Sequence, residues 1–364
     1  MTQNSIGKIF TVTVFGESHG QCIGTVVDGC PAGLALSVAD IQTEMDRRRP
    51  GEGAASTGRA ERDRVEILSG TLNGVTTGAP VCMMVRNEDV DDTDYERIGS
   101  LLRPGHADYT ARVKYGGFSD LRGGGRFSGR ITAAFVMAGA IAKKLLSSIS
   151  VEIIAHTVEI GAIMARPVDF KKMSENSRKD PLRCADPQAS AKMVRLISAV
   201  KEEGDSLGGI IECIAVNLPV GLGEPVFDNL DGELARAVLA VPAVKGVEFG
   251  AGFAAARMRG SENNDPFVIR DGEIATLTNN AGGVLGGISS GMPLVFRVAV
   301  KPTPSIVREQ ATVDIEKLES ASLGMRGRHD VCIVPRAVAA VEAMAAITIC
   351  DFARRAGLVP GVLK

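Results

Sequence analysis

The stretch from Arg103 to Arg130 reads RPGHADYTARVKYGGFSDLRGGGRFSGR and is the segment around which the rest of the chain is interpreted. It holds six Arg or Lys residues and seven glycines. Glycine lets a backbone approach a ligand closely, and the arginine fork fits carboxylate or phosphate. The stretch therefore predicts a loop that binds an anion, followed by a helix over 131–146 whose N-terminus would add N–H donors. A solvated Arg/Gly loop and an RNA contact of the RGG type are the alternatives.

The composition bears on these alternatives. The 364 residues are 45% hydrophobic, which is enough for a sizeable core, and the formal net charge is −2. Aromatic residues make up 4% of the chain and Trp is absent. Both facts disfavour a general nucleic-acid binder, which needs positive charge and stacking side chains. Locally clustered basic residues instead favour a small anionic ligand.

The seven cysteines are scattered and include no Cys-x-x-Cys pair. This pattern predicts reduced thiols rather than a disulfide framework or a zinc site, and we expect no metal. The N-terminal residues lack a signal-peptide pattern, and the longest uncharged apolar run, Ala133 to Ala142, is too short to span a bilayer. We therefore expect a cytoplasmic protein with neither a membrane nor a nucleic acid as partner.

The hydrophobic patterns predict a mixture of strands and helices without a regular βαβ rhythm. β-Branched or alternating runs predict strands, among them 8–15, 24–28, 79–85, 151–160, 210–216 and 293–300. Helical spacing or capping signals predict helices from 38, over 131–146 and 189–203, and from about 337 to 356. Residues 88–96 are read as an exposed acidic connection and 166–189 as a surface excursion. The fold class that this favours is α+β with largely antiparallel sheets, in a single domain over 1–364.

Three of the four histidines, His19, His106 and His329, lie in Gly/Arg-rich segments far apart in sequence. A fold that unites these segments would build a positive pocket, in which a bound anion favours a protonated imidazole that can act as a general acid. The fourth, His156, is interpreted as structural. The run from Lys301 to Ser305 could bind a second phosphate, such as that of a flavin. The Ser-His pair between Gly16 and Gly20 resembles a hydrolase elbow only superficially, because neighbours on a turn rarely form a nucleophile–base pair.

Taken together, the motifs resemble one family. They are FGESHG at 15–20, RRRPG at 47–51, RPGHADYT at 103–110, RGGGR at 122–126 and GRHD at 327–330, with further matches in order from about residue 7 to residue 345. Each is weak alone, but as a set they are similar to the chorismate synthase family. The resemblance implies a β-α-β sandwich of largely antiparallel sheets packed on central helices, usually in a homotetramer. It also implies the trans-1,4 elimination of phosphate from 5-enolpyruvylshikimate 3-phosphate to give chorismate, the last step of the shikimate pathway to aromatic amino acids.

The resemblance also implies roles for individual residues. His19 would protonate the departing phosphate, His106 would lie near the N1–C2=O edge of the flavin, and Asp330 would help relay a proton from flavin N5. The substrate's phosphate and carboxylates would be bound by Arg48, Arg103, Arg130 and Arg328. The cofactor would be contacted by Arg126, Phe127, Ser128, Pro242, Ala243, Gly286, Lys301, Pro302, Thr303, Pro304, Ser305 and Arg328.

The implied cofactor is reduced FMN, although the reaction has no net redox change. The sequence shows neither a Rossmann fingerprint nor a large insertion, so we expect an external flavin reductase or another reductant. Reduction of the flavin by the chain itself, with NADPH, is the alternative.

The chain departs from the family pattern around the flavin. Where the family usually reads Arg-Ser-Ser-Ala-Arg-Glu-Thr, residues 126–132 read RFSGRIT, which puts Phe127 in place of a small hydroxyl and Ile131 in place of a carboxylate. Ala54 stands where many members have Arg, and Pro242 where Asn is common. These changes keep open an alternative: a catalytically impaired paralogue that binds an anion or a flavin.

Overall fold

The computed structural model describes residues 4–49, 61–325 and 330–364. The predictions for Ala54, Arg328 and His329 lie outside these residues.

The described residues form nine α-helices. They are α1 Val38–Arg48, α2 Thr93–Ile98, α3 Asp108–Lys114, α4 Thr132–Ser147, α5 Phe170–Lys179, α6 Pro187–Glu202, α7 Leu230–Val238, α8 Gly260–Asn263 and α9 Val334–Arg355.

The strands of the described residues range from two to nine residues in length. They are β1 Ser5–Ile6, β2 Thr11–Gly16, β3 Cys22–Asp28, β4 Glu66–Ile67, β5 Thr71–Leu72, β6 Val75–Thr76, β7 Val81–Arg86, β8 Glu152–Ile160, β9 Ile163–Met164, β10 Gly209–Val216, β11 Val244–Phe249, β12 Phe267–Arg270, β13 Glu273–Thr276, β14 Val284–Leu285, β15 Ile288–Ser289, β16 Leu294–Val300, β17 Gln310–Asp314 and β18 Glu319–Leu323.

Two five-stranded sheets dominate the architecture. Their strand orders are β1-β2-β3-β7-β4 and β11-β16-β10-β8-β9, and the remaining strands pair as hairpins. Every strand pair is antiparallel. The predicted α+β class with largely antiparallel sheets is therefore confirmed, while the single domain stays a prediction.

The helices α4 and α9 lie between the two sheets. Helix α4 packs on β2, β3 and β7 of the first sheet, whereas α9 packs on β8 and β10 of the second, and the two helices pack on each other. Both are buried over most of their length, which explains their nearly uniform apolar sequences. A Cβ built on Gly139 of α4 would lie 2.4 Å from the Cβ of Ala343, so glycine is what allows the helices to cross this closely.

A buried ion cluster joins the central layer. The Glu342 carboxylate of α9 accepts hydrogen bonds from Arg47 Nη1 at 2.6 Å, from Lys143 Nζ at 2.6 Å and from the backbone N–H of Ala155 at 2.8 Å. Burial would raise the pKa of Glu342, but the charges of Lys143 and Arg47 outweigh it and hold that pKa below its usual range. The cluster ties α1, α4, α9 and β8 together.

One segment differs from a simple loop description. Helix α5 lies inside the stretch that was interpreted as a surface excursion; Asp169 caps it by accepting a hydrogen bond from the N–H of Lys172. Phe170 and the buried Met173 are its only apolar residues, which is few for recognising a helix from the sequence. All seven cysteines are free thiols, as predicted.

Candidate functional site

A cavity of about 1580 Å³ opens beside the first sheet. Its lining comes from β2, the end of α1, the loop before α3, the glycine-rich loop before α4, the segment after α7, the segment after β16 and the start of α9. Segments that are far apart in the sequence therefore meet at one place, as the Gly/Arg/His pattern predicted.

Most of the predicted site residues line this cavity. They are His19, Arg48, Arg103, His106, Arg126, Phe127, Ser128, Arg130, Pro242, Ala243, Lys301, Thr303, Pro304, Ser305 and Asp330. Gly286 and Pro302 are not among the lining residues, and Arg328 is outside the described residues. His156, interpreted as structural, is buried in β8 and contacts Glu212.

The glycine-rich loop brings backbone against both histidines. Gly123 and Gly124 have φ angles of 57° and 86°, in the left-handed region that favours glycine. A Cβ on Gly123 would lie 2.2 Å from His19 Cδ2, and one on Gly124 would lie 3.0 Å from His106 Nε2. The close backbone approach predicted for this loop therefore occurs, and it is directed at the two imidazoles.

The His19 ring is held by a carboxylate that the sequence interpretation missed. His19 Nδ1 lies 2.5 Å from Asp92 Oδ1, and its ring meets that of Tyr95 edge-on, with centroids 5.3 Å apart. Asp92 belongs to the acidic segment that was interpreted as an exposed connection. That interpretation is wrong for Asp92, which contacts a lining histidine. The only available signal was the density of acidic residues just before the RPGH motif.

His106 is held in a similar way. Its Nδ1 lies 2.9 Å from Asp108 Oδ1, and Asp108 also accepts hydrogen bonds from Arg103 Nε at 2.7 Å and Nη2 at 2.6 Å. Burial would raise the pKa of the Asp108 carboxyl, but hydrogen bonds from His106 and Arg103 outweigh it and hold that pKa well below its usual range. A carboxylate at Nδ1 fixes the ring and leaves Nε2 for a ligand.

Arg48 and Arg130 share one buried carboxylate. Asp63 lies 3.1 Å from Arg48 Nη1 and also accepts a hydrogen bond from Arg130 Nη1, and all three side chains are buried. Burial would raise the pKa of Asp63, but the charges of Arg48 and Arg130 outweigh it and lower that pKa. Burial lowers the pKa of Arg48, which Asp63 opposes. Arg130 Nη2 also lies 3.9 Å from Glu61 Oε2, so Asp63 and Glu61 together balance the charges of the two arginines.

Asp63 also bears on the departure at Ile131. The absence of a carboxylate there removes one possible partner of Arg130, yet Asp63 supplies that partner from another segment. Ile131 itself is buried in the hydrophobic core. Asp63 was missed because the charged run from 61 to 64 is typical of an exposed loop.

Two of the lining residues carry polar atoms without partners. Within the described part of the chain, Asp330 Oδ1 and Thr303 Oγ1 are buried without a hydrogen bond, although Asp330 Oδ2 accepts one from Arg336 at 2.6 Å. Burial and the neighbouring Lys245 lower the pKa of the Lys301 ammonium. A phosphate here would relieve both effects on Lys301, because it supplies the opposite charge.

The site thus combines several guanidinium groups, two carboxylate-backed imidazoles and unsatisfied polar atoms. Its volume exceeds the roughly 300–1,000 Å³ typical of a single small-ligand pocket. The arrangement can bind more than one anionic group and place a proton donor beside one of them.

The chain is similar to known proteins over nearly its whole length. The chorismate synthase family model matches residues 10–353. Chorismate synthase of Dehalococcoides mccartyi (strain BAV1) is 59% identical over 361 residues, covering 99% of both chains. That of Methanosarcina barkeri is 53% identical over 359 residues, covering 99% of this chain and 98% of the relative. A crystal structure of chorismate synthase superposes with a TM-score of 0.77 at 32% identity, covering 96% of this chain and 93% of the other.

Proposed function

This chain belongs to the chorismate synthase family, and we propose that the cavity is the active site in which 5-enolpyruvylshikimate 3-phosphate loses phosphate to give chorismate. The observation that supports this assignment most strongly is that His19, His106, Arg48, Arg103 and Arg130 line one cavity. The reaction is a carbon–oxygen lyase reaction and the last step of the shikimate pathway. The relatives above give no support to the impaired-paralogue alternative.

The arginines are proposed to bind the substrate's anionic groups. The substrate carries a phosphate and two carboxylates, and guanidinium groups form charge-assisted hydrogen bonds with such anions. Arg48 and Arg130 are held in place by Asp63, and Arg103 by Asp108, so little side-chain entropy is lost when a substrate binds. Arg328 is proposed for the same role from the family resemblance alone.

His19 is proposed to protonate the departing phosphate. As the C–O bond breaks, its electron pair leaves with the phosphate, and the proton moves from His19 Nε2 to a phosphate oxygen. Nε2 lies beside Gly123, whose missing side chain makes room for this edge of the ring. Because the phosphate leaves as a weaker base once protonated, the transfer lowers the barrier.

The lining residues fit FMN as the cofactor. The buried Thr303 Oγ1 and Asp330 Oδ1 need polar partners, and the Lys301 ammonium, close to Lys245, would be stabilised by the flavin phosphate. The lining residues proposed to hold FMN are Arg126, Phe127, Ser128, Pro242, Ala243, Lys301, Thr303, Pro304 and Ser305. When bound and reduced, FMN supplies transient electron density and accepts the C6 hydrogen. His106 and Asp330 are proposed to hold protons at the flavin, and Gly286 and Pro302 stay predictions.

Further properties are proposed from the family. They are a homotetramer, an external flavin reductase or another reductant, and a cytoplasmic location. None of the described helices is long and apolar enough to cross a membrane.

The proposal is tested by anaerobic turnover. 5-Enolpyruvylshikimate 3-phosphate and photoreduced FMN are supplied, and chorismate and phosphate are followed together. Equal amounts of both products would support the proposal and would show that Phe127 and Ile131 are tolerated. Absence of turnover at saturating reduced FMN, with substrate binding intact, would contradict it.

A further inference from the structure

The carboxylate of Asp92 lies between a lining histidine and an arginine. One oxygen, Oδ1, contacts His19 Nδ1 at 2.5 Å, and the other, Oδ2, accepts a hydrogen bond from Arg122 Nη1 at 3.1 Å. Arg122 is itself fixed by Asp120, to which its Nε and Nη2 donate at 3.0 and 2.8 Å. Both oxygens of Asp92 are therefore oriented by partners on two different segments.

Asp92 is not explained by local helix capping. It immediately precedes α2, but its side chain makes no capping hydrogen bond to the first turn. Its side chain is 28% exposed, whereas that of His19 is 6% exposed. The side-chain contacts of Asp92 are therefore made with His19 and Arg122 rather than with the first turn of α2.

The remaining surroundings of the His19 ring fix its position. The Tyr95 ring packs edge-on against it, and the Arg103 guanidinium lies over the Tyr95 ring, 5.4 Å from its centroid. The backbone of Gly123 lies against Cδ2 and Nε2. Among the described residues, the charged groups that these contacts place near the imidazole are Asp92 in contact, Arg122 and Asp120 behind it, and Arg103 beyond the Tyr95 ring.

We propose that Asp92 is a positioning residue for the reaction: it keeps a proton on His19 Nδ1 and so directs Nε2–H at the departing phosphate. This inference rests on the proposed function. During the elimination the Nε2–H bond breaks and an O–H bond forms on phosphate, while the Nδ1–H···Asp92 hydrogen bond is kept. The charged imidazole becomes neutral and Asp92 stays ionised, so Arg122 keeps its partner throughout.

The test compares Asp92→Asn and Asp92→Glu with the wild-type chain and with Asp205→Asn. Asp205 is matched in chemistry, because it is a carboxylate paired with an arginine, Arg308, but it lies outside the cavity lining. The pH dependence of kcat, the KM for substrate and the affinity for FMN are measured for each, together with the melting temperature.

In Asp92→Asn we expect kcat at neutral pH to fall by about 10–100-fold, the range seen when a hydrogen-bonded partner that orients a metal-ligating histidine is lost. KM and FMN affinity should change less than about threefold, well under 1.4 kcal/mol. The pH profile of kcat should differ from that of the wild type, because the group that orients the proton donor is lost. Asp92→Glu should restore part of kcat, and Asp205→Asn should match the wild type.

Two results would overturn the role of Asp92. One is a wild-type kcat and pH profile in Asp92→Asn. The other is a loss of kcat that is accompanied by an equal loss of FMN affinity and melting temperature, with no shift of the profile. Absence of turnover in the wild-type chain would instead overturn the proposed function and this inference with it.

Discussion

Replacing Gly123 by Ala should abolish most of the activity while leaving the protein folded. Gly123 has a φ of 57°, and the added methyl carbon would lie 2.2 Å from His19 Cδ2 and 2.3 Å from His19 Nε2. The loop and the ring cannot both keep their present positions, and His19 cannot move without losing its contacts with Asp92 and Tyr95.

The substitution has two separate effects, one on stability and one on the rate. An L-residue in the left-handed region costs about 1–2 kcal/mol, which lowers stability but leaves a domain of this size folded. Restoring ordinary contact requires the imidazole to move by roughly 1 Å, and a misplacement of about 1 Å can reduce a rate about 10²-fold. We therefore expect kcat of Gly123→Ala to be about 10²-fold below that of the wild type.

Gly117 provides the matched control. Its φ is 85°, so alanine there meets a similar backbone strain, but no atom lies within 4 Å of the added methyl group. The assay is chorismate formation with reduced FMN under anaerobic conditions, with thermal melting of both variants. The reasoning would be refuted by a Gly123→Ala enzyme whose kcat equals that of Gly117→Ala.

Three further predictions concern buried carboxylates. Asp63→Asn leaves Arg48 and Arg130 without their shared carboxylate and should lower the free energy of unfolding by about 3–5 kcal/mol. Substrate binding should restore part of this stability, which melting with and without substrate would show. Glu342→Gln should cost a similar 3–5 kcal/mol in denaturant unfolding but leave kcat unchanged, because Glu342 does not line the cavity. Asp108→Asn should destabilise most at neutral pH. The pKa of Asp108 is lowered in the folded state, so the ionised carboxylate stabilises the fold above about pH 4 and this stabilisation is lost below that pH. Melting temperatures measured across pH would show this.

Each of these predictions has its own contrary result. The Asp63 prediction would be contradicted by an Asp63→Asn variant that is as stable as the wild type and that substrate stabilises no more than it stabilises the wild type. For Glu342, it is a loss of kcat, or a cost no larger than that of Glu202→Gln on the exposed surface of α6. For Asp108, it is a stability difference that stays constant between neutral and acidic pH.

The helices and strands with strong periodicity were predictable from the sequence. The spacing of apolar residues placed a helix over 131–146, and α4 spans Thr132–Ser147. The strand predicted over 210–216 is β10, Gly209–Val216. The order of the sheets was not predictable from the residues alone, since β10 pairs with β8 and β16, which are distant in sequence. Such pairing is decided by tertiary contacts that no local pattern records.

The site was predictable only where its residues form local clusters in the sequence. Local clusters of Gly, Arg and His indicated an anion pocket, and the family resemblance added the individual roles. Asp63 and Asp92 were not found, because they lie in charged stretches that are typical of solvated loops. Only the fold shows that one is buried between two arginines and the other contacts His19.

We propose that chorismate is formed in this cavity with His19 as the proton donor. The most direct measurement compares the wild-type chain with His19→Asn, following chorismate and phosphate anaerobically with reduced FMN and determining FMN affinity for both. We predict equal amounts of the two products from the wild type, and a kcat about 10²–10⁴-fold lower in the variant at unchanged FMN affinity. Absence of chorismate from a wild-type chain that binds both ligands, or a wild-type kcat in His19→Asn, would contradict the account.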